Sequence, residues 1–279
     1  MKLDNDLIEP KYSKKDLKWS ILLLFGCFCI GWNVANVLHE LGHAFAMALV
    51  GVPIKEFVLN PFSWCWTFAE YQKYSLLLSL GGVTFGLLFV ILPSFAAIWI
   101  RSAYFRIPAF TIAAWALSMD GIYLLTGALF SAGDGKEIVE FGAPYSLVIF
   151  LGCLYLMLAL FMFGLIHPLV GIGKNSSITK RFLIFGAAVF PYLLMIFLYN
   201  FILNRREILL WTSFVLGGVV LIWMSAVAGY FWARIGKGFD EINRTKIGWK
   251  PVIIFLIIGF IIIAGEFLIF GIHENPFGK

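Results

Sequence analysis

Seven apolar stretches, each of about 20 residues or more, constrain this chain's backbone before any single residue is considered. They fall at about residues 17–50, 74–100, 107–131, 144–167, 182–203, 208–233 and 251–271. Hydrocarbon offers no water to a peptide N–H or C=O, so a stretch that crosses it must bond internally as an α-helix. The expected fold class is an all-α polytopic membrane protein, a multi-pass integral protein with about seven transmembrane helices. With 61% apolar residues and 13% charged residues, the chain does not read as a soluble domain. The first stretch is too long for one helix along the bilayer normal and must tilt, protrude or bend near Gly31. Pro93 and Pro191 lie inside stretches and should kink them.

The charges sit between these stretches. Residues 1–18 form a polar, mixed-charge segment that does not read as a cleavable signal. Lys and Arg number 15 on the side of the N-terminus and 6 on the other, which places the N-terminus in the cytoplasm. Because the basic residues cluster at helix ends, the formal charge of +5 is accounted for by orientation and anionic lipid, with no nucleic acid required. Cys27, Cys29, Cys65 and Cys153 show no CxxC spacing and imply no disulfide framework.

Between the first two stretches, residues 54–59 and 64–71 favour β-structure around Asn60-Pro61-Phe62-Ser63, a sequence suited to a turn. A hairpin there would lie at the membrane surface or against protein, because lipid does not tolerate an open strand edge. The alternative is an interfacial loop whose Trp64 and Trp66 belong to the aromatic belt.

The first stretch also carries His39-Glu40-Leu41-Gly42-His43. Helix positions i and i+4 share a face, so both imidazoles can reach one metal ion with Glu40 beside them. That is the arrangement of a zinc site with a carboxylate general base. Chance occurrence and satisfied core histidines are the competing accounts. The second is poor, since three ionisable groups within a turn and a half of a membrane helix are costly and mark function. Asn33 and Asn36 precede the motif, and Asn36, Glu40, His43 and Met47 form one stripe. The asparagines would line a polar cavity as possible substrate or oxyanion contacts, or hydrogen-bond a neighbouring helix.

A catalytic zinc takes three protein ligands and keeps one position open. His167 and His273 both read as interfacial. Asp120 lies inside a stretch, and Asp134 lies in the glycine-rich Ser131-Ala132-Gly133-Asp134-Gly135. A continuous helix would hold these two about 21 Å apart, so both reach one site only if the chain bends between them. Glu137 and Glu140 are further candidates.

HELGH in a membrane helix with Asp134-Gly135 downstream resembles the site-2 protease family of intramembrane zinc metalloproteases. Val52-Pro53-Ile54-Lys55 through Asn60-Pro61-Phe62 looks like the family's β-segment, and Ser79-Leu80-Gly81-Gly82 like its small-residue membrane motif. The resemblance covers about residues 30–140. It implies Zn²⁺ held by His39, His43 and Asp134, with Glu40 as the catalytic base. It also implies that residues 19–143 form a three-span metallopeptidase core, leaving 144–279 as additional helices without an assigned role. The family's asparagine and proline-rich stretch are missing, and Asp120 stands near that place. Asp120 would then face substrate or oxyanion, couple to a proton near the metal, or bond a neighbouring helix.

The expected function is hydrolysis of peptide bonds in a transmembrane protein substrate within the lipid bilayer. The substrate would be locally unwound and added as a strand to residues 54–59. The rival is a non-hydrolytic transporter, channel or scaffold that keeps a zinc site. A diiron oxidase needs more histidines than the four present. The two orientation arguments conflict, because the resemblance implies a site near the cytosolic side and hence an external N-terminus.

Overall fold

The computed structural model describes residues 14–63, 65–69, 76–100, 102–131, 133–173, 175–203, 208–235 and 248–271. Most of the polar N-terminal segment and His273 therefore lie outside the described residues. Eight helices and two strands follow in the order α1 (Lys14–Val50), β1 (Ile54–Val58), β2 (Trp66–Ala69), α2 (Leu76–Trp99), α3 (Ala103–Phe130), α4 (Gly133–Glu140), α5 (Tyr145–Leu169), α6 (Ile178–Leu203), α7 (Ile208–Ile235) and α8 (Trp249–Phe270).

Six helices, α1, α2, α3, α5, α6 and α8, are long and apolar enough to cross a membrane. The seventh expected stretch is helical in α7, but its described apolar run is the shorter Val215–Phe231. Helix α1 runs unbroken for 37 residues, about 55 Å, longer than the hydrocarbon core is thick. Pro93 and Pro191 lie within α2 and α6, which remain helical past them.

Helix α1 is the centre of the bundle and packs against α2, α3, α6, α8 and the hairpin. Its apolar half inserts Phe28 and Trp32 against Trp115 of α3, with ring centroids 5.8 and 5.5 Å apart and edge-on geometry. Its other half carries the histidines. The strands β1 and β2 form an antiparallel two-stranded sheet, Val58 opposite Trp66, so the two β-favouring runs pair over residues 54–58 and 66–69.

Two close approaches set the geometry of this half. Gly42 of α1 meets Gly81 of α2 so tightly that a β-carbon on Gly81 would lie 2.6 Å from the Gly42 carbonyl oxygen. After α3 the chain turns back through two left-handed residues, Ser131 (φ 55°) and Gly133 (φ 64°). Helix α4 then lies along α3, where a β-carbon on Gly135 would lie 2.5 Å from the Leu124 carbonyl oxygen. The glycine of the Asp-Gly pair is what allows α4 to sit this close, and so what brings Asp134 inward.

Candidate metal centre

Four segments deliver the centre to one end of the bundle. His43 lies seven residues before the end of α1, and Gly82 six residues after the start of α2, so both are about 10 Å in from that end. His39, Asn36 and Glu40 are buried, at 3%, 4% and 5% exposure.

The two imidazoles are oriented from behind. His43 Nδ1 lies 2.8 Å from the backbone oxygen of Leu78, and His39 Nδ1 lies 2.9 Å from Asp120 Oδ1. A carbonyl can only accept, so His43 Nδ1 carries its proton, and the Asp120 carboxylate asks the same of His39. In the neutral rings both Nε2 atoms then present lone pairs. These face each other at 3.2 Å, and Asp134 Oδ2 closes the triangle at 2.9 Å from His39 Nε2 and 3.6 Å from His43 Nε2. A single proton between His39 and Asp134 would leave His43 Nε2 facing Asp134 with nothing between them. One cation satisfies all three acceptors, and His39, His43 and Asp134 form a group that could hold a metal ion.

Gly82 keeps the space before these atoms open. A β-carbon there would lie 2.5 Å from His43 Nε2 and 2.8 Å from His39 Nε2.

Asp120 and Asp134, expected to be far apart on a straight helix, meet opposite nitrogens of one imidazole because the chain reverses at residues 131–133. Asp120 thus stands behind His39, as in a carboxylate–histidine–metal relay that fixes the tautomer. The other carboxylates are used elsewhere. Glu137 accepts from the Ser79 hydroxyl at 2.9 Å, with burial raising its carboxyl, and Glu140 pairs with Lys136 at 3.7 Å. His167 is fully buried against α7, where Nε2 meets the Ser225 carbonyl at 3.1 Å.

Glu40 is held by β2. The Thr67 hydroxyl donates to Glu40 Oε2 at 2.7 Å and lies 3.2 Å from the Glu40 backbone oxygen. The turn before β2 is in turn fastened to α6. Asn60 donates to the Tyr199 hydroxyl (3.0 Å), Ser63 to Asn200 Oδ1 (2.8 Å), Asn200 to the Phe62 carbonyl (2.6 Å), and Tyr192 to the Pro61 carbonyl (2.7 Å). Asn33 makes the interhelical bond that was the alternative to a cavity role, donating to the Tyr192 hydroxyl at 3.0 Å. The Asn36 side-chain nitrogen is buried without a hydrogen-bond partner, one turn from Glu40 on the same face.

Sequence reasoning missed Thr67, the Leu78 carbonyl, Gly82 and the Tyr123 ring, which lies 5.1 Å from that of His39. Only Gly82 carried a signal, as part of the small-residue motif. Comparison with known protein families, with curated proteins and with solved structures finds no match.

Proposed function

We propose that this chain is a multi-pass membrane zinc endopeptidase of the site-2 protease type, hydrolysing peptide bonds of transmembrane protein substrates. The observation that carries the reading is the convergence of three acceptor atoms, with their protons fixed on the far side, next to a buried carboxylate that is not one of the three.

Zinc suits this donor set. Tetrahedral bonds of about 2.0–2.2 Å put ligand atoms roughly 3.3 Å apart, and the three atoms here are separated by 3.2, 2.9 and 3.6 Å. Two imidazoles and one carboxylate from one face leave a position open, as in catalytic sites. A bound zinc supplies Lewis acidity toward water and toward a scissile carbonyl.

The chain's own residues do the rest. Glu40 takes the proton of the attacking water and returns it to the leaving amine. The Thr67 hydroxyl, bonded to Oε2, holds the Glu40 carboxylate in place for this transfer. The unpartnered Asn36 amide supplies a donor for the substrate carbonyl, where its desolvation cost is recovered. Asp120 keeps Nε2 of His39 free to ligate. The hairpin offers an unpaired strand edge to an unwound substrate segment.

Elemental analysis of the purified protein and of its Glu40→Gln and His39→Ala/His43→Ala variants tests this. The expected result is one zinc per chain in the first two, none in the third, and hydrolysis only in the first. Zinc without hydrolysis in the unaltered protein would return the non-hydrolytic alternative. Zinc lost in Glu40→Gln with the fold intact would mean that the base is misassigned.

A further inference from the structure

Three carboxylates are buried in spanning helices among the described residues: Glu40, Asp120 and Glu266. The first two are held by Thr67 and His39. Glu266, in the last turns of α8, is 6% exposed, and neither of its oxygens has a hydrogen-bond partner. No cation pairs with it among the described residues. An ionisable group in a membrane span is expensive, and an unpartnered one more so, so its retention marks a role.

Its place in the fold says which role. Phe267, the next residue, packs against Phe62 and Tyr199 at centroid distances of 5.7 and 6.0 Å. That puts the end of α8 against the turn that leads into β2. The same turn leads to Thr67, whose hydroxyl bonds Glu40. The unpartnered carboxylate is thus one residue from the ring that packs on the turn preceding the strand that holds Glu40.

We propose that Glu266 is a recognition site for the ammonium or guanidinium group of a substrate lysine or arginine, bound beside the turn that leads into β2. The proposal rests on the peptidase reading and names its substrate class: membrane segments with a basic residue near the scissile bond. One carboxylate does not make a divalent-metal site, which needs several oxygen ligands. A lysine or arginine fits better, because its long apolar stem crosses hydrocarbon and delivers the charge at its tip. Charge pairing in a desolvated site favours the matched substrate and rejects the mismatched one. Glu266 is buried, so substrate reaches it by parting the end of α8 from the Phe62 ring.

The test uses full-length Glu40→Gln protein in detergent, which separates binding from hydrolysis. The probes are fluorescein-labelled Leu–Ala peptides of about 20 residues, carrying one lysine, norleucine or glutamate near one end. Binding is read by anisotropy, and zinc content is measured on the same samples. The lysine peptide is expected to bind about tenfold more tightly than the norleucine peptide. Adding Glu266→Gln should abolish that preference, and Glu266→Lys should transfer it to the glutamate peptide. The Gln variant is close to isosteric and controls for folding. Equal binding of lysine and norleucine peptides, or a lysine preference that survives Glu266→Gln, overturns the proposal. Missing zinc would count against the peptidase reading instead, whichever way the peptides bind.

Discussion

Removing the carboxylate of Asp134 and that of Asp120 should have different consequences, because they meet opposite nitrogens of His39. Asp134→Ala takes away one of three donors and should abolish stoichiometric metal binding. Asp120→Ala leaves the donors in place but frees the ring, a loss of about 10–100-fold in affinity. Competition with a chromophoric chelator measures both, and a larger loss in the Asp120 variant would exchange the two roles. Gly82→Ala should also empty the centre while the helices persist by circular dichroism, since its methyl group would occupy the space before both Nε2 atoms. An alanine variant with full metal content would place the ion elsewhere. At this scale the histidines and Glu40 were legible, because helix periodicity alone puts i and i+4 on one face. The position of Asp120 was not legible, since it depends on which ring nitrogen faces which helix.

The hairpin is a small element with a large dependence on distant chain. Its own two strands make few hydrogen bonds, and an isolated two-stranded sheet is marginal in water. What fixes it is α6, through Tyr192, Tyr199 and Asn200, more than 120 residues downstream of the turn. Asn200→Leu would strand the Phe62 carbonyl and the Ser63 hydroxyl, at about 1–3 kcal/mol for each buried group left unpaired. The expected outcome is faster amide exchange over residues 54–69 by mass spectrometry, with zinc content unchanged. Unaltered exchange would mean that α6 does not hold the hairpin. This gives one of the four helices after α5 begins a task that no local pattern announces. The hairpin itself was visible in its β-favouring runs and its Asn-Pro turn, but its anchorage was not. Pairs such as Asn60 with Tyr199 are through-space contacts, and only the packed bundle brings them together. The bend after α3 was half visible: the glycines marked a break, while the reversal that brings Asp134 back to His39 depends on Gly127 and Gly135 accepting backbone contact.

The orientation of the whole bundle decides which compartment the centre opens toward. The centre shares its end of the bundle with the hairpin and α4, and the 15-to-6 charge imbalance, which counts α7 as a seventh span, would put it on the outer side. Glu140, the last residue of α4, and Ser177, just before α6, are exposed and lie beyond opposite ends of α5. In intact cells, with Cys153 replaced by serine, an impermeant maleimide should label Glu140→Cys and spare Ser177→Cys. The reverse pattern would support the orientation that the site-2 protease resemblance implies. The order of synthesis adds a consequence of the reversal at residues 131–133. His43 leaves the ribosome 91 residues before Asp134. At about 5–20 residues per second that is a delay of roughly 5 to 18 s. During it the nascent chain holds a pair of imidazoles with no carboxylate to complete the set. The set of residues that could hold a metal ion is thus incomplete while the first spans are threaded into the membrane, and it closes only when α4 folds back along α3.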